Sequence, residues 1–188
     1  MIRDGKFHMI PSVRNMRYLE RALAVEEEWI LLTNCIHIGN LSKVVKECHK
    51  AGKKVIVNHE IIGGLGADKV AFQLLKKMYQ VDCVMGSSNI RLSMLKREGL
   101  PTIQRAVLSD RFSVEQMLDS MKDSKADIVE LRPAYYAVKF LEEFKQKKNC
   151  DYIAGGFIDT KEMADMVYQA GFAGLTTSCV ELWDYQPK

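Results

Sequence analysis

Two short segments near the C-terminus have the composition of a phosphate-binding site. In residues 151–158 an apolar run ends at Gly155 and Gly156, and a second run further along the chain ends at Thr177 and Ser178. Glycine lets a ligand approach the main chain, and hydroxyl groups beside N–H groups can bind an anion. Two consecutive strand ends of this kind are typical of the phosphate site of a (β/α)8 barrel, with two ordinary tight turns as the alternative.

Charged side chains also stand at the ends of other predicted strands. Arg105 and Glu130 lie late in neighbouring strands and alternate with apolar residues, so both are expected to face the interior. A buried charge is costly unless it is paired, so we expect an ion pair that either holds the ligand or only organises the barrel mouth. Arg14, His37 and Glu60, near the ends of the first three strands, complete the candidate ligand-binding set.

The sequence favours binding over catalysis. His37 and His59 lack a second histidine or a carboxylate at metal-ligand spacing, and no serine or cysteine nucleophile motif is present. Residues 58–66 contain glycines but match neither the Walker pattern nor a dinucleotide fingerprint. We therefore expect no catalytic residue, metal or cofactor. The alternative is an enzyme for a small phosphorylated substrate, with Glu60 as general base and His59 or Glu130 as its partner.

The elements that must position these residues alternate between strands and helices along the whole chain. Eight short apolar runs predict strands, and several are continuous, as in parallel strands covered on both faces. They are Phe7–Pro11, Trp29–Cys35, Lys54–Glu60, Val81–Gly86, Thr102–Leu108, Asp127–Leu131, Asp151–Gly155 and Gly174–Thr177. Helices are predicted near residues 14–27, 39–51, 67–79, 89–98, 112–123, 134–147 and 160–170, with a short closing helix near 180–185.

This alternation predicts an α/β fold, a compact (β/α)8 TIM barrel that forms a single domain over residues 1–188. The usual length of such a barrel is about 250 residues, so its helices must be short. A doubly wound open sheet is the alternative.

Composition limits the setting and the partners. The net charge of +3 permits contact with nucleic acid without requiring it. Lysines in residues 43–54 and 145–148 are interpreted either as a solvated outer ring or as a face that contacts RNA phosphates. The five cysteines include no CxxC pair, which favours a reduced cytoplasm. No apolar run reaches the roughly 18 residues of a membrane span, so no membrane contact is expected.

Several short motifs, each near a predicted strand end, resemble those of a known family. They are Pro11–Asn15, His37–Leu41, Lys53–Val57, Ile62 with Gly64–Gly66 and Asp68, Thr102–Arg105 with Asp110, Glu130 with Pro133, Ala154–Ile158, and Thr177–Ser178 with Leu182–Trp183. In this order they resemble the glycerol-3-phosphate-responsive antiterminators, bacterial regulators of glycerol uptake operons. The resemblance implies a (β/α)8 barrel that binds glycerol 3-phosphate and acts on leader mRNA to prevent premature termination, without catalysis.

The chain departs from the family pattern at several positions. It has Asn58, Glu60 and Gly63 where the family carries His, Asp and Glu, and Arg132 stands where the family has leucine after its glutamate. The glycine pair and the hydroxyl pair near the C-terminus are retained. The ligand is therefore expected to be glycerol 3-phosphate or a related phosphorylated molecule. A homo-oligomer, and a barrel that binds a partner protein without contacting RNA, are left open.

Overall fold

The computed structural model describes residues 5–188, and these residues form a closed barrel of eight parallel strands. Each strand pairs with its neighbours in sequence, and β8 pairs with β1 to close the ring. The strands are β1 (His8–Val13), β2 (Trp29–Leu32), β3 (Lys54–Asn58), β4 (Cys83–Gly86), β5 (Thr102–Val107), β6 (Ile128–Arg132), β7 (Asp151–Gly155) and β8 (Gly174–Thr177). The predicted TIM barrel is confirmed, and the open sheet is excluded.

Within residues 5–188, seven α-helices cover the outside of the barrel. They are α1 (Leu19–Leu23), α2 (Leu41–Lys50), α3 (Lys69–Lys77), α4 (Asn89–Arg97), α5 (Arg111–Met121), α6 (Ala134–Lys147) and α7 (Lys161–Gln169). None of the helices in these residues is long and apolar enough to cross a membrane.

The first and last predicted helices are shorter than expected. A 3₁₀ turn at Met16–Tyr18 and the five residues of α1 replace the helix near 14–27. Three consecutive glutamates, Glu26–Glu28, follow α1, where negative charge opposes the helix dipole. Glu27 instead accepts hydrogen bonds from the Trp29 amide at 3.0 Å and pairs with the His8 ring. After β8 only a 3₁₀ turn forms, at Val180–Leu182.

The two faces of each strand contribute to different parts of the core. Outward-facing side chains pack against the helices in two large clusters. Inward-facing side chains fill the barrel with an apolar layer that includes Ile103, Ile128 and Ile153. Because successive side chains of a strand alternate in direction, Arg105 and Glu130 lie on the same inner face, two residues nearer the C-terminal end than Ile103 and Ile128. The fold thus places these charges directly above an apolar plug.

The pairing of β8 with β1 requires a residue without a side chain at Gly174, the first residue of β8. A Cβ atom at this position would lie 2.6 Å from the backbone oxygen of His8 in β1, which cannot move without disturbing the closing pair. We expect Gly174→Ala to lower the free energy of unfolding by about 1–3 kcal/mol, measured by urea denaturation. Gly39→Ala is a matched control, since its Cβ would meet only the His37 ring at 3.2 Å. Equal stability of the two variants would contradict this packing argument.

Candidate functional site

A cavity of about 620 Å³ opens at the C-terminal end of the barrel. Its wall contains residues that end or follow β1, β2, β5, β6, β7 and β8. The polar and charged members include Ser12, Arg14, Thr33, Asn34, Arg105, Arg132, Asp159, Thr176, Thr177 and Ser178. The cavity therefore adjoins the two strand ends at which the sequence predicts a phosphate.

The nine candidate ligand-binding residues fall into three groups. Five of them line the cavity: Arg14, Arg105, Gly156, Thr177 and Ser178. Glu130 and Gly155 are buried and contact residues of the cavity wall, and His37 and Glu60 are exposed outside it. The barrel thus brings together most of the residues that the strand-end argument selected.

The Glu130 carboxylate is the most buried charge of this end of the barrel, with none of its surface exposed. It accepts a hydrogen bond from Nε of Arg105 at 2.6 Å and another from Oγ1 of Thr176 at 2.8 Å. Nη1 of Arg132 lies 3.9 Å from the same carboxylate. The predicted ion pair between Arg105 and Glu130 is confirmed, and it also ties β5 and β6 to β8.

The two glycines at the end of β7 have different neighbours from those that the sequence suggests. A Cβ on Gly155 would lie 2.7 Å from both Oε1 of Glu130 and Oγ1 of Thr176, so this glycine makes room for the buried carboxylate rather than for a ligand. Gly156 has a positive φ of 79°, and its α-carbon packs beside the Arg132 guanidinium, with Nη2 3.1 Å from the Cβ position. Only Gly156 belongs to the cavity wall.

Arg132 lines the cavity, although it is not among the nine candidate ligand-binding residues that the sequence predicts. Burial lowers the pKa of Arg132, the Glu130 carboxylate opposes this, and the charges of Arg105 and Arg14 add to the lowering. A guanidinium nevertheless stays protonated in a protein. Three cationic side chains, Arg14, Arg105 and Arg132, therefore line one cavity. Of the three, Arg105 makes the closest ion pair with a carboxylate, that of Glu130.

The loops after β7 and β8 contain main-chain N–H groups of residues that line this cavity, namely Phe157 and Ser178. Among the hydrogen bonds of residues 5–188, none uses the N–H of Phe157 or of Ser178. The Thr177 hydroxyl is engaged, since it donates to the Ile158 carbonyl at 2.5 Å and accepts from the Cys179 amide at 3.0 Å. A 3₁₀ turn follows Ser178, so the helix start predicted there is absent from the described chain. The chain at this end of the barrel consequently presents single amides near arginines rather than the first turn of a helix.

Glu60 and His37 are engaged elsewhere. Glu60 lies in a 3₁₀ turn, His59–Ile61, two residues beyond the end of β3, and its carboxylate accepts from the Ser87 amide at 3.0 Å and the Ser87 hydroxyl at 2.7 Å. Burial raises the pKa of Glu60, but the hydrogen bonds from Ser87 outweigh it and leave the pKa below its usual value. His37 accepts from the Gly39 amide at 3.1 Å. Periodicity could not have revealed these loop contacts.

His59 is buried against the edge of the Phe72 ring, and neither of its ring nitrogens has a hydrogen-bond partner in the described chain. Burial lowers the pKa of His59, Glu60 opposes this, and Arg91 adds to the lowering. Within residues 5–188, no group of three potential ligands among His, Cys, Asp and Glu could hold a metal ion.

A family model described as "Glycerol-3-phosphate responsive antiterminator" matches residues 9–183. The structure resembles that of a glycerol uptake operon antiterminator regulatory protein from Listeria monocytogenes, with a TM-score of 0.90 and 24% identity over 98% of each chain. An antiterminator-related protein from Thermotoga maritima gives a TM-score of 0.83 and 24% identity over 95% of this chain and 98% of that one. The uncharacterized protein YgcP of Escherichia coli is 25% identical over 180 residues, which are 96% of this chain and 93% of that protein.

The buried ion pair predicts a strong effect of removing one partner. Glu130→Leu would leave the Arg105 guanidinium, whose side chain is only 14% exposed, without its carboxylate. We expect a loss of about 3–5 kcal/mol in the free energy of unfolding by urea denaturation. The double variant Arg105→Met/Glu130→Leu should recover part of it, because no charge is then buried alone. The pairing argument is wrong if the free-energy losses of the single variants Arg105→Met and Glu130→Leu simply add in the double variant.

The environment of His59 predicts a pH dependence of stability. Burial lowers the pKa of His59 in the folded protein, so the fold disfavours its protonation, whereas the unfolded chain binds a proton below a pH of about 6.5. The free energy of unfolding should therefore fall as the pH drops through 6.5, by at most about 1.4 kcal/mol per pH unit from this group. Urea denaturation of His59→Leu between pH 5 and 7.5 should show a shallower fall than wild type, since both proteins keep the other three histidines. Identical pH profiles would refute the assignment.

Proposed function

The chain belongs to the glycerol-3-phosphate responsive antiterminator family, and we propose that it is a metabolite-responsive transcription antiterminator of glycerol metabolism genes. In this proposal it works in the cytoplasm, binds glycerol 3-phosphate or a similar small phosphorylated molecule in the barrel mouth, and acts on leader mRNA. The observation that carries the proposal is the convergence of three arginines on one cavity. Its wall also includes Phe157 and Ser178, whose amides have no hydrogen-bond partner within residues 5–188.

The phosphate is proposed to lie over the ends of β7 and β8. Arg132 at the end of β6 and Arg14 after β1 stand on the two sides of this pair of strands, because β6 precedes β7 and β1 neighbours β8 in the ring. Phe157 follows β7 and Ser178 follows β8, so their amides belong to the two loops between the strands that carry Arg132 and Arg14. Guanidinium groups form short, charge-assisted hydrogen bonds with phosphate oxygens, which a dianion strengthens.

The remainder of the ligand is proposed to extend toward β1 and β2. Ser12, Thr33 and Asn34 line that side of the cavity and supply hydroxyl and amide groups, which suit the hydroxyls of a small polyol. Glu130 is proposed to act through Arg105 rather than to contact the ligand. Both of its oxygens already accept protein hydrogen bonds, so its role is to orient Arg105 toward the cavity.

A route for a response to ligand begins at Ile61, which lines the cavity. This residue opens the segment 61–68, which is joined to the loop before α2 through Gly63: its amide donates to Ile36 and its carbonyl accepts from Ile38. The segment ends at Asp68, whose carboxylate caps α3. A ligand changes the population of two states of this segment only if it binds them with different affinity.

The alternative of an enzyme has less support from the geometry. Glu60, the candidate general base, is held by two hydrogen bonds from Ser87 and lies outside the cavity wall. A base must reach the proton that it removes, directly or through one water. These contacts favour binding and signalling over acid–base catalysis as the use of the cavity.

Isothermal titration calorimetry with glycerol 3-phosphate tests the proposal. Wild type should bind, and Arg132→Gln should raise the Kd about 10- to 100-fold, as expected for the loss of a hydrogen bond to a charged group. Arg97→Gln on the outer surface should leave the Kd unchanged, and glycerol should give no heat, since it lacks the phosphate. No heat with wild type at millimolar glycerol 3-phosphate would count against the proposed ligand.

A further inference from the structure

The outer surface of α2, α3 and α4, hereafter the basic face, carries an excess of positive charge far above that of the whole chain. These three consecutive helices hold nine lysines and arginines and one carboxylate, Glu47, for a formal charge of +8. Helices α5, α6 and α7 hold five cations and six carboxylates, for a formal charge of −1. The net charge of +3 therefore conceals a strongly one-sided distribution.

Few cations of the basic face are neutralised by the protein. All nine are exposed, and among the described residues ion pairs involve two of them: Lys43 with Glu47 at 3.9 Å and Lys96 with Asp127 at 2.7 Å. On the opposite side, Arg111 pairs with Glu115 and Glu143. A concentration of unneutralised charge of one sign raises the local concentration of polyanions at the surface.

Helix stability does not explain this distribution. Cations in the last turn of a helix are favoured by the helix dipole, but cations in the first turn are disfavoured. Lys43, Lys69 and Arg91 stand in the first turns of α2, α3 and α4, and none of these first turns contains an acidic residue. The first-turn cations therefore lower the intrinsic stability of the three helices, whereas the last-turn cations raise it. A negatively charged partner would compensate the first-turn cations and so offset their cost to helix stability.

We propose that the basic face is the surface that binds the phosphates of the leader RNA. This inference rests on the proposed function and assigns a location to its RNA contact. Neighbouring packed helices lie about 8–10 Å apart, so the three together present cations across roughly 20–30 Å, which suits an extended polyanion. An exposed apolar stripe, formed by Val70 and Leu74 of α3 and by Met78 at its C-terminal end, lies beside the lysines of the same helix and can cover unstacked bases.

The position of α3 connects this surface to the cavity. The helix begins directly after the segment that contains Ile61, and Asp68 of that segment accepts from the Ala71 amide at 2.8 Å. Lys69 follows the cap and lies in the first turn. The ligand-facing residue and the first cation of α3 are therefore eight residues apart in one continuous, anchored segment.

RNA binding by charge-neutralised variants tests the assignment. The probe is a transcript of the 5′ leader upstream of the gene for this chain. Its binding is measured by fluorescence anisotropy with saturating glycerol 3-phosphate at salt concentrations from about 50 to about 300 mM, a range in which phosphate contacts change the affinity strongly. Lys76→Gln/Lys77→Gln should weaken binding about 10-fold at the lowest salt. It should also reduce the slope of log K against log salt by about 1.5, as expected for two lost phosphate contacts. Lys145→Gln/Lys147→Gln on α6 is the matched control and should bind like wild type.

Each other outcome has a distinct meaning. RNA binding that survives in the α3 variant and is lost in the α6 variant overturns the location and leaves the proposed function standing. Failure of wild type to bind the leader at any salt, while calorimetry still detects glycerol 3-phosphate, overturns both the RNA contact and this location. If polyglutamate then binds wild type and not the α3 variant, the face serves an acidic protein instead. Unchanged Kd for glycerol 3-phosphate in both variants verifies that they are folded.

Discussion

The barrel mouth depends on one fully buried carboxylate. Glu130 has no exposed surface, and a charge in that position is tolerated only when hydrogen bonds and an opposite charge compensate for its lost hydration. Arg105 from β5 and Thr176 from β8 supply them, and Gly155 in β7 leaves the space. Four consecutive strands are thereby held in one arrangement, and a register slip in any of them would leave the carboxylate unpaired.

The same interaction determines the electrostatics of the cavity above it. Because Glu130 lies closest to Arg105, it compensates the positive charge of the more distant Arg132 less completely. No carboxylate pairs with Arg14 in the described chain. Below the ion pair, the layer of Ile103, Ile128 and Ile153 excludes water. Charges over an apolar floor are less screened than charges in solvent, so a phosphate in this cavity meets a stronger field than the net charge suggests.

The sequence predicts the barrel well because eight apolar runs of strand length leave few other architectures, and it predicts the pairing of Arg105 with Glu130 because both alternate with apolar residues in neighbouring strands. The rest of the site depends on loop paths that periodicity does not encode. Arg132 reaches the cavity because its guanidinium packs against the turn at Gly156. Glu60 stands near a strand end as expected, yet its partner Ser87 comes from the next βα unit and holds it outside.

The segment between β3 and α3 is the physical connection between the cavity and the basic face. Three sets of hydrogen bonds anchor it: Glu60 to Ser87, Gly63 to the loop before α2, and Asp68 to the first turn of α3. A ligand that displaces Ile61 must either move this segment as a unit or release one anchor. Coupling between sites is typically about 1–3 kcal/mol, and the loss of a helix cap costs about 1 kcal/mol. Release of the Asp68 cap alone would therefore be enough to alter the first turn of α3, where Lys69 lies, without any rearrangement of the barrel.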